Sequence, residues 1–195
     1  MPPKNKFTEN DIVNAAFRVV REKGLRSLSF RTVAKELNSS TMPIYTFIKS
    51  EKNLEKEVLK KAFDLLFSYQ TTSRTDDVFM NMGIGYVLFA RDEKNLFRAM
   101  NQESHIDLSR QYFKVHLLRL ADILTEYPDI KRASGKEVQV FLQQGLIYSH
   151  GLATLVNTSF YEDLTEDQIT EMLRFTALRY TKGFVMEMEK RHKHG

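Results

Sequence analysis

Residues 29–49 read SFRTVAKELNSSTMPIYTFIK. Ser29 has the side chain of a helix N-cap, and Phe30, Val33, Ala34 and Leu37 follow it at spacings of three and four, one apolar stripe along a short helix. Asn38-Ser39-Ser40 interrupts the stripe. Asn is a residue type that takes the left-handed conformation ending a helix, and Ser40 can cap the helix that follows. Pro43 falls in the first turn of that second helix, where its missing N–H costs nothing. The pattern predicts a helix-turn-helix, although an ordinary pair of short helices would read the same way.

The flanking residues extend the pattern in both directions. Upstream, Thr8 and Asp11 have capping-box spacing, so a first helix begins at Glu9. Ile12, Val13, Ala16, Phe17 and Val20 form its apolar face, and Glu22-Lys23-Gly24 closes it with glycine as the terminator. Downstream, Ser50 caps a fourth helix with Leu54, Val58, Ala62, Leu65 and Tyr69 on one face, long enough to link whatever lies on either side. In a helix-turn-helix the second short helix enters the DNA major groove by its N-terminal end. Charge supports that reading: residues 1–60 carry 12 Lys and Arg against 7 Asp and Glu, and the remainder 17 against 18, so the excess of positive charge lies with the motif. Lys4 and Lys6 add a short basic arm.

Taken together, Ser29-Phe30-Arg31, Val33-Ala34, the turn, and Ile44-Tyr45, Phe47, Lys49-Ser50, Lys52 and Leu54 resemble the N-terminal domain of the TetR family of transcriptional regulators. The resemblance runs over residues 7–59. Two positions depart from the family pattern: Ser39 stands where an apolar residue is usual in the turn, and Ile48 where an aromatic one is. The resemblance implies an all-α fold of about nine or ten helices. A three-helix DNA-binding domain, residues 1–53, would precede a helical bundle, residues 54–195, for effector binding and dimerisation.

It also implies DNA contacts at matching positions. Lys49, Lys52 and the Tyr45 hydroxyl would hold phosphates, which position the protein without reading sequence. Ser29 and Arg31 would reach a phosphate and an adjoining base. Thr41, Met42 and Pro43 open the recognition helix, where apolar contact with thymine methyls suits them. Arg31 is the first candidate for a guanine contact, and Phe47 is assigned to core.

Composition narrows the rest. A hydrophobic fraction of 42% and an aromatic fraction of 11% supply a packed core. No apolar run approaches membrane-spanning length, and the basic N-terminus lacks a signal peptide's apolar stretch, so the chain reads as cytoplasmic. The absence of cysteine removes disulfides, thiolate metal sites and thiol nucleophiles.

Residues 70–77, QTTSRTDD, form a polar break. A helix carrying Val78, Phe79, Met82, Tyr86 and Phe89 follows, ended by Asp92-Glu93-Lys94-Asn95 and a short segment from Leu96 to Met100. Residues 106–126 form a long helix with two apolar faces, one of Leu108, Tyr112 and Val115 and one of Phe113, Leu117, Leu120 and Leu124, which implies burial on two sides. Ser134-Gly135-Lys136-Glu137 and Thr165-Glu166-Asp167-Gln168 open the last two long helices, running to about Asn157 and Lys190. Gly145, Gly151 and Gly183 would admit close helix approach.

One helix-turn-helix contacts few base pairs, so a homodimer reading a palindromic operator in double-stranded DNA is expected. The last two helices are the candidate interface, as the corresponding pair is in TetR-like proteins. In that family the middle helices bind a small effector. Met82, Tyr86, Phe89, Phe97, Met100, Tyr112, Phe113, His116 and Tyr148 are the candidates for an apolar ligand with a few polar groups, ordinary core packing being the alternative for each. His105, His116 and His150 lack metal-ligand spacing, so neither metal nor cofactor is expected; His192 and His194 read as a solvent-exposed tail. No nucleophile–base set, phosphate loop or paired-carboxylate motif is present, so the chain does not read as an enzyme. A helical adaptor or ligand-binding protein that keeps the fold without binding DNA is the alternative, and repression is the family's common mode.

Overall fold

The computed structural model describes residues 7–161 and 164–194, with residues 192–194 described by backbone alone. Lys4, Lys6 and the side chains of His192 and His194 therefore lie outside the described residues. Nine α-helices and no strand occur among the described residues. They are α1 (Glu9–Lys23), α2 (Phe30–Glu36), α3 (Met42–Phe47), α4 (Glu51–Thr71), α5 (Val78–Asp92), α6 (Lys94–Met100), α7 (Ile106–Leu124), α8 (Gly135–Asn157) and α9 (Glu166–His194). None is long and apolar enough to cross a membrane.

The helices pack as two compact units, one of Met1–Leu65 with Glu93–Tyr112 and one of Leu66–Asp92 with Phe113–Gly195. The boundary expected after residue 53 falls near the start of α4, whereas the packing division falls later in the same helix and adds α6 to the first unit.

In the first unit, local chemistry sets the helix ends. Thr8 Oγ1 accepts from the Asp11 N–H while the Asp11 carboxylate accepts from the Thr8 N–H. Each such cap is worth about 1 kcal/mol. The Thr8 N–H and then the Thr8 hydroxyl, both donating to the Asp11 carboxylate, hold it below its ordinary pKa. Gly24, at φ 81°, ends α1 in a conformation that a Cβ would strain. Asn95 Nδ2 donates to the carbonyls of Arg21 and Glu22 at 3.0 and 3.1 Å, satisfying acceptors left open at the end of α1. Both oxygens of the buried Glu93 carboxylate accept from Arg21, one from Nε and one from Nη2. Residues 92–95, read as a simple break, thus fasten α6 to α1.

α5 is the axis of the second unit, buried from Phe79 to Ala90 apart from the half-buried Gly83. A Cβ at Gly85 would lie 2.1 Å from the Tyr69 carbonyl oxygen, so only glycine lets α5 approach α4 this closely. Phe79, Leu120, Leu124, Ile130, Val138 and Phe141 form the adjoining core, with Phe141 stacked 5.0 Å from Tyr180. The Asn81 amide closes the loop before α5, accepting from the N–H groups of Arg74 and Thr75 and donating to the Thr75 carbonyl.

Several expectations need correction. Ser40 does not cap α3; Thr41 holds the N-cap position with no side-chain capping bond, and Ser39 donates to the Ser40 carbonyl instead. α4 continues through residues 70 and 71, so Gln70 is a buried helical residue and not the start of a polar break. Of the α7 face expected from Leu108, Tyr112 and Val115, only Val115 is open, at 56% exposure; Leu108 and Tyr112 are half-buried, Tyr112 with its ring 6.0 Å from that of Phe63. Gly145 does admit close approach, its Cβ position lying 2.5 Å from the Phe79 ring, whereas Gly151 and Gly183 face open space.

Candidate nucleic-acid interface and ligand cavity

Phe30 is the point at which three segments of the helix-turn-helix meet. Ser29 caps α2 by accepting from the Thr32 N–H at 3.1 Å, and Thr32 Oγ1 accepts from the Ser29 N–H at 3.0 Å. The Phe30 N–H, which no intrahelical carbonyl can reach, donates to Glu51 Oε1 at 3.0 Å and so holds the first turn of α4 against the start of α2. The Phe30 ring meets Tyr45 of α3 edge-on, with centroids 4.7 Å apart. Tyr45 of α3 and Glu51 of α4 thus both meet Phe30, the residue before Arg31.

Beneath α3, Ile44 and Ile48 are buried, each worth about 1.5–3 kcal/mol of apolar transfer. They fix which side of a six-residue helix faces outward. On the outer side Met42 is 73% exposed and Tyr45 is 55% exposed. Thr41 and Pro43 are half-buried, Arg31, Lys49 and Lys52 are exposed, and Ser29 is half-buried with its hydroxyl engaged in the cap. Phe47 is only half-buried, while Ile48, in the usual place of an aromatic residue, is core. Asn38 has the left-handed backbone expected of it, φ 49°. Sequence reasoning missed Glu51 and the Arg18–Glu36 ion pair at 2.8 Å that joins α1 to α2. A charged residue in a first helical turn reads equally well as ordinary dipole compensation.

The second unit contains a cavity of about 170 Å³. It brings together five of the nine candidate residues: Met82, Tyr86, Phe113, His116 and Tyr148. The other four are elsewhere. Phe89 lies beyond the cavity, fully buried and edge-on to Tyr69 at 5.6 Å. Phe97 and Met100 are buried in the first unit, as is the contact of Tyr112 with Phe63 at 6.0 Å between centroids. Size made these residues attractive in the sequence, but neighbouring helices already fill the space around them.

Polar groups the sequence reading did not select also line the cavity: Gln70, Gln144, Ser149 and Thr176. Gln70 Nε2 donates to the Met82 carbonyl at 3.1 Å, so its Oε1 faces His116 Nε2 at 2.7 Å and that nitrogen carries the proton. The Tyr86 hydroxyl lies 2.9 Å from His150 Nδ1. Burial raises the pKa of Tyr86 and lowers that of His150, so the tyrosine donates and the histidine accepts. Tyr180 is pushed up to about 12 by burial. Among the described residues no three His, Asp or Glu side chains converge as a metal ion would require.

No protein-family model matches the chain. A protein of Bacillus subtilis described as the uncharacterized HTH-type transcriptional regulator YobS is 21% identical over 191 residues, covering 95% of this chain and 97% of the relative. Among solved structures, a transcriptional regulator of Rhodococcus sp. superposes with a TM-score of 0.70 at 15% identity, covering 91% of this chain and 97% of that one. A TetR variant of Acinetobacter baumannii, solved in complex with minocycline, gives 0.59 at 13% identity over 95% of this chain and 98% of that one. The helix order, the motif built around Phe30 and these superpositions agree: the chain has the fold of the TetR-family transcriptional regulators.

Proposed function

We propose that this protein is a sequence-specific DNA-binding regulator of transcription. In this reading it works in the cytoplasm as a homodimeric repressor, released from a palindromic operator by a small, partly apolar effector. The observation that carries the reading is the division of α3: its apolar residues Ile44 and the following Ile48 are buried, while Met42 and Tyr45 are exposed, as are Arg31, Lys49 and Lys52. An exposed methionine and tyrosine among basic side chains suit a duplex, offering apolar contact to thymine methyls and donors to phosphate. An adaptor would gain nothing from that arrangement.

The dimer is read from α8 and α9. Ile147 is 60% exposed and Phe175 is 63% exposed, with Val140, Leu178 and Met186 also open to solvent. Gly151 and Gly183 meet nothing within 4 Å, leaving flat places where a second copy can approach. Apolar rows of this length on two neighbouring helices are what a self-association face presents. Regulation is read from α4, whose Glu51 holds the start of α2 and whose Gln70 lines the cavity. An effector releases DNA only by the difference between its affinities for the two states.

Selection from a random pool of duplex DNA by the purified protein tests the proposal. Enrichment of an inverted repeat with half-sites about one helical turn, roughly 34–36 Å, apart supports a dimeric regulator. Recovery of the input pool unchanged contradicts it.

A further inference from the structure

The cavity restricts the chemistry of what it can hold. None of the described residues lining it is Asp, Glu, Lys or Arg. An anion entering would meet no Lys or Arg, and a cation no Asp or Glu, to offset the hydration it gives up. Burial keeps Tyr86 and Tyr180 protonated, so neither supplies a charge. Its volume of about 170 Å³ is close to the roughly 150 Å³ of apolar space that admits one benzene-sized molecule.

One part of the wall is polar. Ser149, on α8, and Thr176, on α9, line the cavity and bring a hydroxyl each to that part of the molecule. Ser149 is a buried residue on the cavity wall. A Cβ placed on Gly83 would lie 3.3 Å from Ser149 Oγ and 3.7 Å from Leu173, so Gly83 opens the space directly in front of that hydroxyl. Thr176 follows Leu173 by one helical turn and shares its face.

We infer that the cavity binds an uncharged, single-ring apolar compound carrying one neutral hydroxyl, with the ring among Phe79, Met82 and Phe113 and the hydroxyl on Ser149. This inference rests on the reading of the cavity as the effector site and specifies the ligand class for it. Gly83 is a specificity-determining position because it leaves the ring room to bring its hydroxyl to Ser149.

Calorimetry of the full chain with phenol, toluene and benzoate tests it, alongside Ser149→Ala and Gly83→Ala. Phenol is expected to bind about tenfold more tightly than toluene, the worth of one well-placed hydrogen bond, and benzoate not to bind. Ser149→Ala removes the preference for phenol while leaving toluene unchanged. Gly83→Ala, which replaces glycine by the better helix former, keeps the melting temperature and weakens phenol at least tenfold. Benzoate binding as tightly as phenol, equal affinities for phenol and toluene, equal losses for both in Ser149→Ala, or no binding of phenol would each overturn the inference. The titrations contain no DNA, so these failures leave the DNA-binding reading intact. Benzoate binding that is abolished by Gly83→Ala would keep the cavity as an effector site and remove only the ligand class.

Discussion

The ring of Tyr45 stands edge-on to that of Phe30 at 4.7 Å between centroids, with the planes 87° apart, although more than half of Tyr45 is exposed. The ring thus braces α3 against α2 while the residue stays open to solvent. Such pairs add about 0.5–1.5 kcal/mol beyond area burial. Tyr45→Phe should change folding stability by less than about 0.5 kcal/mol and cost about 1 kcal/mol or more of DNA affinity per protomer. Tyr45→Ala should lose both. Urea unfolding and DNA titration of the two variants separate these effects, and equal DNA affinity for Tyr45→Phe and wild type would remove the hydroxyl from the interface.

Arg31 is exposed at the second position of α2 and is the guanidinium nearest the recognition helix in sequence. Its alanine variant should relax the preference at particular base pairs by about 1–3 kcal/mol while leaving other positions unchanged. A selected-site profile identical to that of the wild type would show that Arg31 reads no base.

Gly85→Ala should be strongly destabilising, because its methyl would meet the Tyr69 carbonyl oxygen at 2.1 Å and the Gln70 Cα at 2.6 Å, backbone atoms that move only if α4 and α5 separate. Overpacking of this kind costs about 1–3 kcal/mol or more. At Gly145 the obstacle is the Phe79 ring, which can move, so Gly145→Ala should lose less. Equal denaturation midpoints for the two variants would contradict the close approach.

Acid should weaken the second unit through His150. Burial lowers its folded pKa below the ordinary value of about 6.5, so below that pH the unfolded chain binds more protons than the folded one. The associated stability is complete above pH of about 6.5 and is lost as pH falls toward the depressed folded value. The Tm of the wild type should therefore drop more between pH 7 and 5 than that of His150→Gln. Parallel curves would show that His150 does not titrate differently on folding.

How much could be read in advance depended on the range of the interaction. Ser29, Asn38 and Gly24 act on their own backbone, so the helix ends they set were legible from residue type alone. Glu51 on the Phe30 N–H and Glu93 on Arg21 join segments distant in sequence, and nothing local marks them. The cavity was half legible. Met82 and Tyr86 share a face of α5 at helical spacing, but Ser149, Thr176 and Gly83 are small or polar residues in apolar helices and leave no periodic signal. Phe89, Phe97 and Met100 misled because large side chains look alike in sequence whether they line a void or fill one.

The salt dependence of affinity tests most directly whether the face carrying α2 and α3 binds DNA. Binding of the selected duplex would be measured from low to high salt for the wild type and for the Lys49→Ala, Lys52→Ala double variant. Each phosphate neutralised contributes about 0.9 to the slope of log affinity against log salt, so two lysines in each of two protomers should lower it by about 3.6. A shallower line is expected for the double variant, with weaker binding at every low salt concentration. Two superimposable lines would contradict it and move the DNA, if bound at all, to another surface.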